Sequence, residues 1–209
     1  MLASDWSRAS DEVARAEAAG GDWLHLDVMD GHFVDNITFG PQFVASLRPH
    51  TRMDLDVHLM IERPDRYWPR FREAGADGIT VHVEADHDCG QTLADIRSSG
   101  CRAGLAISPD TPFERVLPYL DIIDLLLVMT VRPGFGGQPF MEEETMPKVA
   151  AGRRMREERG LVYHIEVDGG IDATTCHIAA QHGANVLVAG TALFRAPDMA
   201  SAIGAMRGT

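Results

Sequence analysis

One junction recurs along the chain: Glu17-Ala-Ala-Gly-Gly-Asp22, Glu73-Ala-Gly-Ala-Asp77 and Gln181-His-Gly-Ala-Asn185. Each reads as the end of a helix, a glycine free to take the left-handed cap, a small polar step, and then a strand. A chain that repeats this unit alternates β and α throughout, and strict alternation gives a parallel sheet with helical crossovers. Eight units close such a sheet into an α/β (β/α)8 TIM barrel; an open doubly wound sheet is the alternative.

Hydrophobic periodicity supplies the elements. Helices are expected over 7–19, with Ser7 or Ser10 as cap, and over 41–47, 64–74, 91–99, 113–119, 141–159, 173–181 and 198–206. Strands are expected over 23–30, 52–60, 78–84, 102–108, 122–130, 162–167 and 185–189, with a stub of a further strand at Met1-Leu2. No low-complexity linker divides the 209 residues, so a single barrel domain over 1–209 is expected.

The formal charge of −12 excludes general nucleic-acid binding, which relies on clustered Lys and Arg. No apolar run approaches the roughly 18 residues that would span a membrane, and no basic-then-apolar signal opens the chain, so a cytoplasmic address is expected. Cys89, Cys101 and Cys176 are odd in number and widely spaced, which fits neither a disulfide framework nor a zinc ribbon. Lys148 is the one lysine and carries no functional weight. An anionic ligand of so acidic a chain has to be captured locally.

The stretch Trp23-Leu-His-Leu-Asp-Val-Met-Asp-Gly31 organises the rest. As a strand it puts His25, Asp27 and Met29 on one face and Leu24, Leu26 and Val28 on the other. In a barrel, functional residues gather at the C-terminal strand ends. His25 and Asp27 close one strand, His58 the next, and Asp168 follows the strand ending at Val167. Two imidazoles and two carboxylates at one rim suit a divalent cation: zinc, iron(II), manganese or cobalt. Any one of them alone reads more simply as a structural hydrogen-bonding residue, and His82 and Glu84 are read that way.

Gly134-Phe135-Gly136-Gly137 precedes the longest helix, and Gly169-Gly170 and Gly190-Thr191 follow the last two strands. Each is a tight turn when taken singly. Together they offer backbone amides for a phosphate. Met29, Met60 and Met129 end three strands, where methionine ordinarily fills core.

Five runs carry a resemblance: Leu24-His-Leu-Asp-Val-Met-Asp-Gly-His-Phe-Val34, Asn36-Ile-Thr-Phe-Gly-Pro41, Asp56-Val-His-Leu-Met60, Pro133-Gly-Phe-Gly-Gly-Gln138 and Glu166-Val-Asp-Gly-Gly170. In this order, over nearly the whole chain, they resemble the ribulose-phosphate 3-epimerase family. The resemblance implies a (β/α)8 barrel interconverting D-ribulose 5-phosphate and D-xylulose 5-phosphate through an enediolate, in the pentose phosphate pathway or the Calvin cycle. It implies one divalent cation held by His25, Asp27, His58 and Asp168, with Asp27 as proton acceptor and Asp168 as donor. Gly134, Phe135, Gly136, Gly137, Gly169, Gly170, Gly190 and Thr191 are implied on the phosphate side, His58, Met29, Met60 and Met129 beside the sugar, and a homo-oligomer is expected. A six-carbon ketose phosphate such as D-allulose 6-phosphate is the near alternative, and a non-catalytic phosphate-binding barrel the distant one.

Two departures accompany the resemblance. Met1 stands where the family's first strand is nearly over, so that strand is expected to be truncated, with a start codon assigned too late as the favoured cause. Asp35 stands where relatives usually carry proline.

Overall fold

The computed structural model describes residues 1–208. Seven strands run parallel in sequence order: β1 (Trp23–Met29), β2 (Asp54–Met60), β3 (Gly78–His82), β4 (Arg102–Ile107), β5 (Leu125–Met129), β6 (His164–Asp168) and β7 (Val186–Val188). Between them lie α1 (Ala9–Ala18), α2 (Pro41–Leu47), α3 (Pro64–Glu73), α4 (Cys89–Ser98), α5 (Glu142–Arg159) and α6 (Thr175–His182), followed by α7 (Thr191–Phe194) and α8 (Met199–Arg207). The result is a nearly closed barrel in which β1 and β7 do not pair. The stub expected at Met1-Leu2 is a turn instead, with the Ser4 amide donating to Met1 O. The Met1 amine donates to the His25 carbonyl at 2.8 Å, along the open edge of β1.

The period of two sorts the strands into two environments. Leu24, Leu26, Val28, Leu55, Val57, Leu59, Ile79 and Val81 pack with the helices in the main core. Ala106, Leu125, Leu127 and Met129 form a smaller cluster with Trp23 inside the barrel. The polar face of β1 therefore points into the barrel, beside Asp56, His58 and His82, all essentially buried.

Three helices end at glycines with positive φ that start the predicted junctions: Gly20 at 93°, Gly75 at 101° and Gly183 at 120°. Any other residue there would bear the left-handed strain. The differences from expectation are local. Asp5, rather than Ser7 or Ser10, caps the start, accepting from the Ser7 amide and hydroxyl in front of a 3-10 turn at Trp6–Arg8. The helix expected over 113–119 is two 3-10 turns, Phe113–Arg115 and Leu117–Tyr119, the second containing Pro118, which cannot donate a helical hydrogen bond. β5 starts at Leu125 because a turn, Ile122 N to Tyr119 O, occupies the preceding residues. α7 has four residues, too few to leave a periodic signal. Among the described residues no helix is long and apolar enough to cross a membrane.

Candidate active site

Register brings the four predicted ligands together. Asp27 on β1 is paired with His58 on β2, and Met129 on β5 with Asp168 on β6. His25 Nε2 lies 3.3 Å from Asp27 Oδ1, 3.4 Å from His58 Nδ1 and 3.9 Å from Asp168 Oδ2. His58 Nδ1 lies 3.3 Å from Asp27 Oδ1 and 3.9 Å from Asp168 Oδ2. A tetrahedral ion with donors at about 2.0–2.1 Å requires donor separations of about 3.3–3.4 Å. The separations among His25, Asp27 and His58 meet that requirement, Asp168 Oδ2 stands wider at 3.9 Å, and this nitrogen–oxygen donor set fits a transition-metal cation.

A second layer lies one step deeper on the same strand faces. His25 Nδ1 is 2.7 Å from Asp56 Oδ2 and 3.6 Å from Glu166 Oε1. A carboxylate on Nδ1 orients the ring so that Nε2 faces the ligand cluster. Glu166 Oε2 is buried with no hydrogen-bond partner. Burial, and then the charge of Asp56, holds the Glu166 carboxyl well above its ordinary range.

The two carboxylates of the cluster are driven apart. Burial opposes ionisation of Asp27, but the charge and hydrogen bond of His25 outweigh it and hold the carboxyl well below its usual range. Asp168 is raised to about 7, by burial first and then by the charge of Asp27, against the pull of His25. Burial lowers His25, yet Asp27 with the hydrogen bond to Asp56 raises it further, to a net value well above the ordinary imidazole range. Burial lowers His58, and the charge on His25 adds to that effect. One carboxylate is therefore poised as a base and the other as an acid near neutrality.

A cavity of about 900 Å³ runs along the open side between β1 and β7, from Trp23, His164 and Asn185 at the strand starts to the rim, where it is lined by His25, Asp27, Met29, Met60, Met129 and Asp168, and by Gly134, Phe135, Gly136, Gly137, Gly169, Gly170, Gly190 and Thr191. The glycine loops are set by steric need. A Cβ on Gly169 would stand 2.4 Å from Val131 Cγ2, and one on Gly170 2.7 Å from the Phe140 amide nitrogen. Asn36 Nδ2 donates to Gly134 O at 2.8 Å, pinning the loop after β1 against the first glycine loop.

The Ribulose-phosphate 3 epimerase family model matches residues 1–194. The chain belongs to the ribulose-phosphate 3-epimerase family. It is 47% identical to the ribulose-phosphate 3-epimerase of Synechocystis sp. over 99% of this chain and 90% of that protein. Identity to the Bacillus subtilis ribulose-phosphate 3-epimerase is 45%, over 100% of this chain and 96% of that one. The chloroplastic ribulose-5-phosphate-3-epimerase of Arabidopsis thaliana is 44% identical over 97% of this chain and 73% of its own length. Among solved structures, a mutant tryptophan synthase α-subunit from Pyrococcus furiosus superposes with a TM-score of 0.70 at 14% identity, over 99% of this chain and 94% of the other. That last likeness concerns the barrel alone.

As a ribulose-phosphate 3-epimerase family member the chain is an enzyme, an isomerase. All the site residues read from the sequence line the cavity except His58, which is fully buried behind Asp27 and reaches the ligand cluster only through Nδ1. Four residues escaped the sequence reading. Asp56 and Glu166 lie two positions before His58 and Asp168, on the same strand face, and the period of two was the available signal. Thr38, whose hydroxyl donates to Asp27 O at 2.7 Å and accepts from the Met29 amide, and Asn36 act through loop contacts that no spacing announces.

Proposed function

We propose that the chain epimerises C3 of D-ribulose 5-phosphate to give D-xylulose 5-phosphate by two-base proton transfer, with one cation of zinc, iron(II), manganese or cobalt held by His25, Asp27, His58 and Asp168. The observation that carries this reading is the gathering of His25, Asp27, His58 and Asp168, whose donor atoms lie within 4.8 Å of one another beside the cavity, with the two carboxyls shifted in opposite directions. Ionised Asp27 accepts the C3 proton as the electron pair moves into an enediolate, and protonated Asp168 delivers a proton to the opposite face. The cation, when bound, supplies Lewis-acid stabilisation of the charge that develops on the substrate oxygens. Amides of the three glycine loops hold the phosphate, which lets an acidic protein bind an anion without a lysine in the site. Met29, Met60 and Met129 close an apolar wall against the sugar carbons and keep water from the reacting centre. The Arabidopsis relative, named chloroplastic, supports a place in the Calvin cycle or the pentose phosphate pathway, and a cytoplasmic setting is part of the proposal.

The test is an epimerase assay on metal-loaded protein with D-ribulose 5-phosphate and D-allulose 6-phosphate, beside a chelator-treated control. Turnover of the pentose phosphate that the chelator abolishes is expected. Preference for the hexose phosphate would overturn the substrate, and undiminished turnover after chelation would overturn the metal.

A further inference from the structure

A line of ring nitrogens leads away from the site through residues the chemistry above does not use. His58 Nε2 lies 2.8 Å from His82 Nε2, and His82 Nδ1 lies 3.0 Å from Glu84 Oε2. Both imidazoles are completely buried, so no water can take the place of these partners. Glu84 is itself tethered: its Oε1 accepts from the Ser108 amide at 2.8 Å, and the Thr111 hydroxyl donates to the same carboxylate. The turn over 108–111 that follows β4 is held by Lys148, whose ammonium donates to the carbonyls of Ser108, Pro109 and Thr111 at 2.8, 2.6 and 2.5 Å.

Two ring nitrogens that face each other at this distance can form one hydrogen bond only if one carries a proton and the other a lone pair. A carboxylate accepts and does not donate, so Glu84 requires the proton of His82 on Nδ1. Neutral His82 then presents a lone pair at Nε2, which requires a proton on His58 Nε2. That leaves the lone pair of His58 on Nδ1, the atom facing His25, Asp27 and Asp168. His25 obtains the same result in one step from Asp56. His58 has no carboxylate at its Nε2 and obtains it through His82.

We infer that Glu84, acting through His82, is a positioning residue that sets the tautomer of His58 and so makes its Nδ1 available to the metal. The inference rests on the metal-site reading above, and its test separates the two. Metal-free protein is titrated with zinc against a chromophoric chelator, for wild type, Glu84→Leu and Glu84→Gln. Failure of the wild type to bind zinc would sink the metal site. Given wild-type binding, Glu84→Leu is expected to bind zinc about 10- to 100-fold more weakly. Glu84→Gln, whose single carbonyl can still accept from His82, is expected to fall between the two. Zinc affinity of Glu84→Leu equal to that of wild type would overturn the relay. Long-range proton–nitrogen NMR of the zinc-loaded wild type reads the rings directly and does not depend on how the variants fold. The proton is expected on Nδ1 of His82 and Nε2 of His58; a proton on Nε2 of His82 would overturn the assignment.

Discussion

Replacement of Asp168 by asparagine is expected to stabilise the metal-free protein while abolishing its activity. In the fold the carboxyl is raised from its ordinary 3.8 to about 7, by burial and by the neighbouring charge of Asp27. An acid whose value is raised on folding holds its proton more tightly in the native state. The native protein therefore binds more protons than the unfolded chain between about pH 4 and 7, and stability falls as pH rises through that window. The displacement corresponds to about 4 kcal/mol of lost stability once the group is ionised in both states. Asp168→Asn keeps the shape and removes the ionisation. Urea denaturation of chelator-treated protein should show the two proteins equally stable near pH 4 and the variant ahead by up to about 4 kcal/mol at pH 8. With metal restored, wild type should regain stability more than the variant, because it keeps the carboxyl oxygen of Asp168 as its fourth ligand. A gap between the proteins that is absent at pH 8, or the same size at pH 4 and pH 8, would refute the reasoning. Full epimerase activity in metal-loaded Asp168→Asn would separately refute its role as proton donor.

Gly170→Ala should raise KM for the sugar phosphate several-fold and cost about 1–3 kcal/mol of stability, since the residue has φ 66° and its Cβ would meet the Phe140 backbone at 2.7 Å; steady-state kinetics with an unchanged KM would remove this loop from the phosphate site. Lys148→Met should cost about 2–3 kcal/mol by leaving three carbonyls without their ammonium donor. A thermal melt that does not move would show that the turn over 108–111 stands without Lys148. The Glu84 carboxyl is lowered from 4.5 to about 2 because the hydrogen bond and charge of His82, with Thr111 and the Ser108 amide, outweigh its burial. Its contribution to stability is therefore present above about pH 4.5 and lost as pH falls through about 2. Acid unfolding of Glu84→Gln should begin no later than that of wild type but show a shallower slope below pH 4.5, and equal slopes would count against it.

The barrel was legible because the junction repeats and because each strand alternates two chemistries. A helix that stops at a glycine and restarts as a strand needs no distant contact to declare itself. The grouping of His25, Asp27, His58 and Asp168 was legible as well, since inward faces of barrel strands converge toward their C-terminal ends, although His25 is the third residue of β1 and not its end. Helix starts were less so. Asp5 captured the first turn from Ser7 by accepting two hydrogen bonds, a choice decided by local backbone geometry. His82 and Glu84 read as structural, and no spacing in the sequence announces their alignment with His58.

The amino-acid sequence by itself determined the βα order, the polar face of β1 and the donor atoms available at the rim, because these depend on periodicity and residue chemistry. Tertiary structure alone decided how those donors behave. Pairing Asp27 with His58 sets separations of 3.3–3.9 Å among the ligand atoms, and the His25 imidazole lowers Asp27 against its burial while burial and the charge of Asp27 raise Asp168. The direction in which His58 presents its lone pair belongs to this second class. It depends on a carboxylate two residues beyond the next strand's histidine, and on a lysine whose three bonds are to backbone carbonyls some forty positions earlier in the chain.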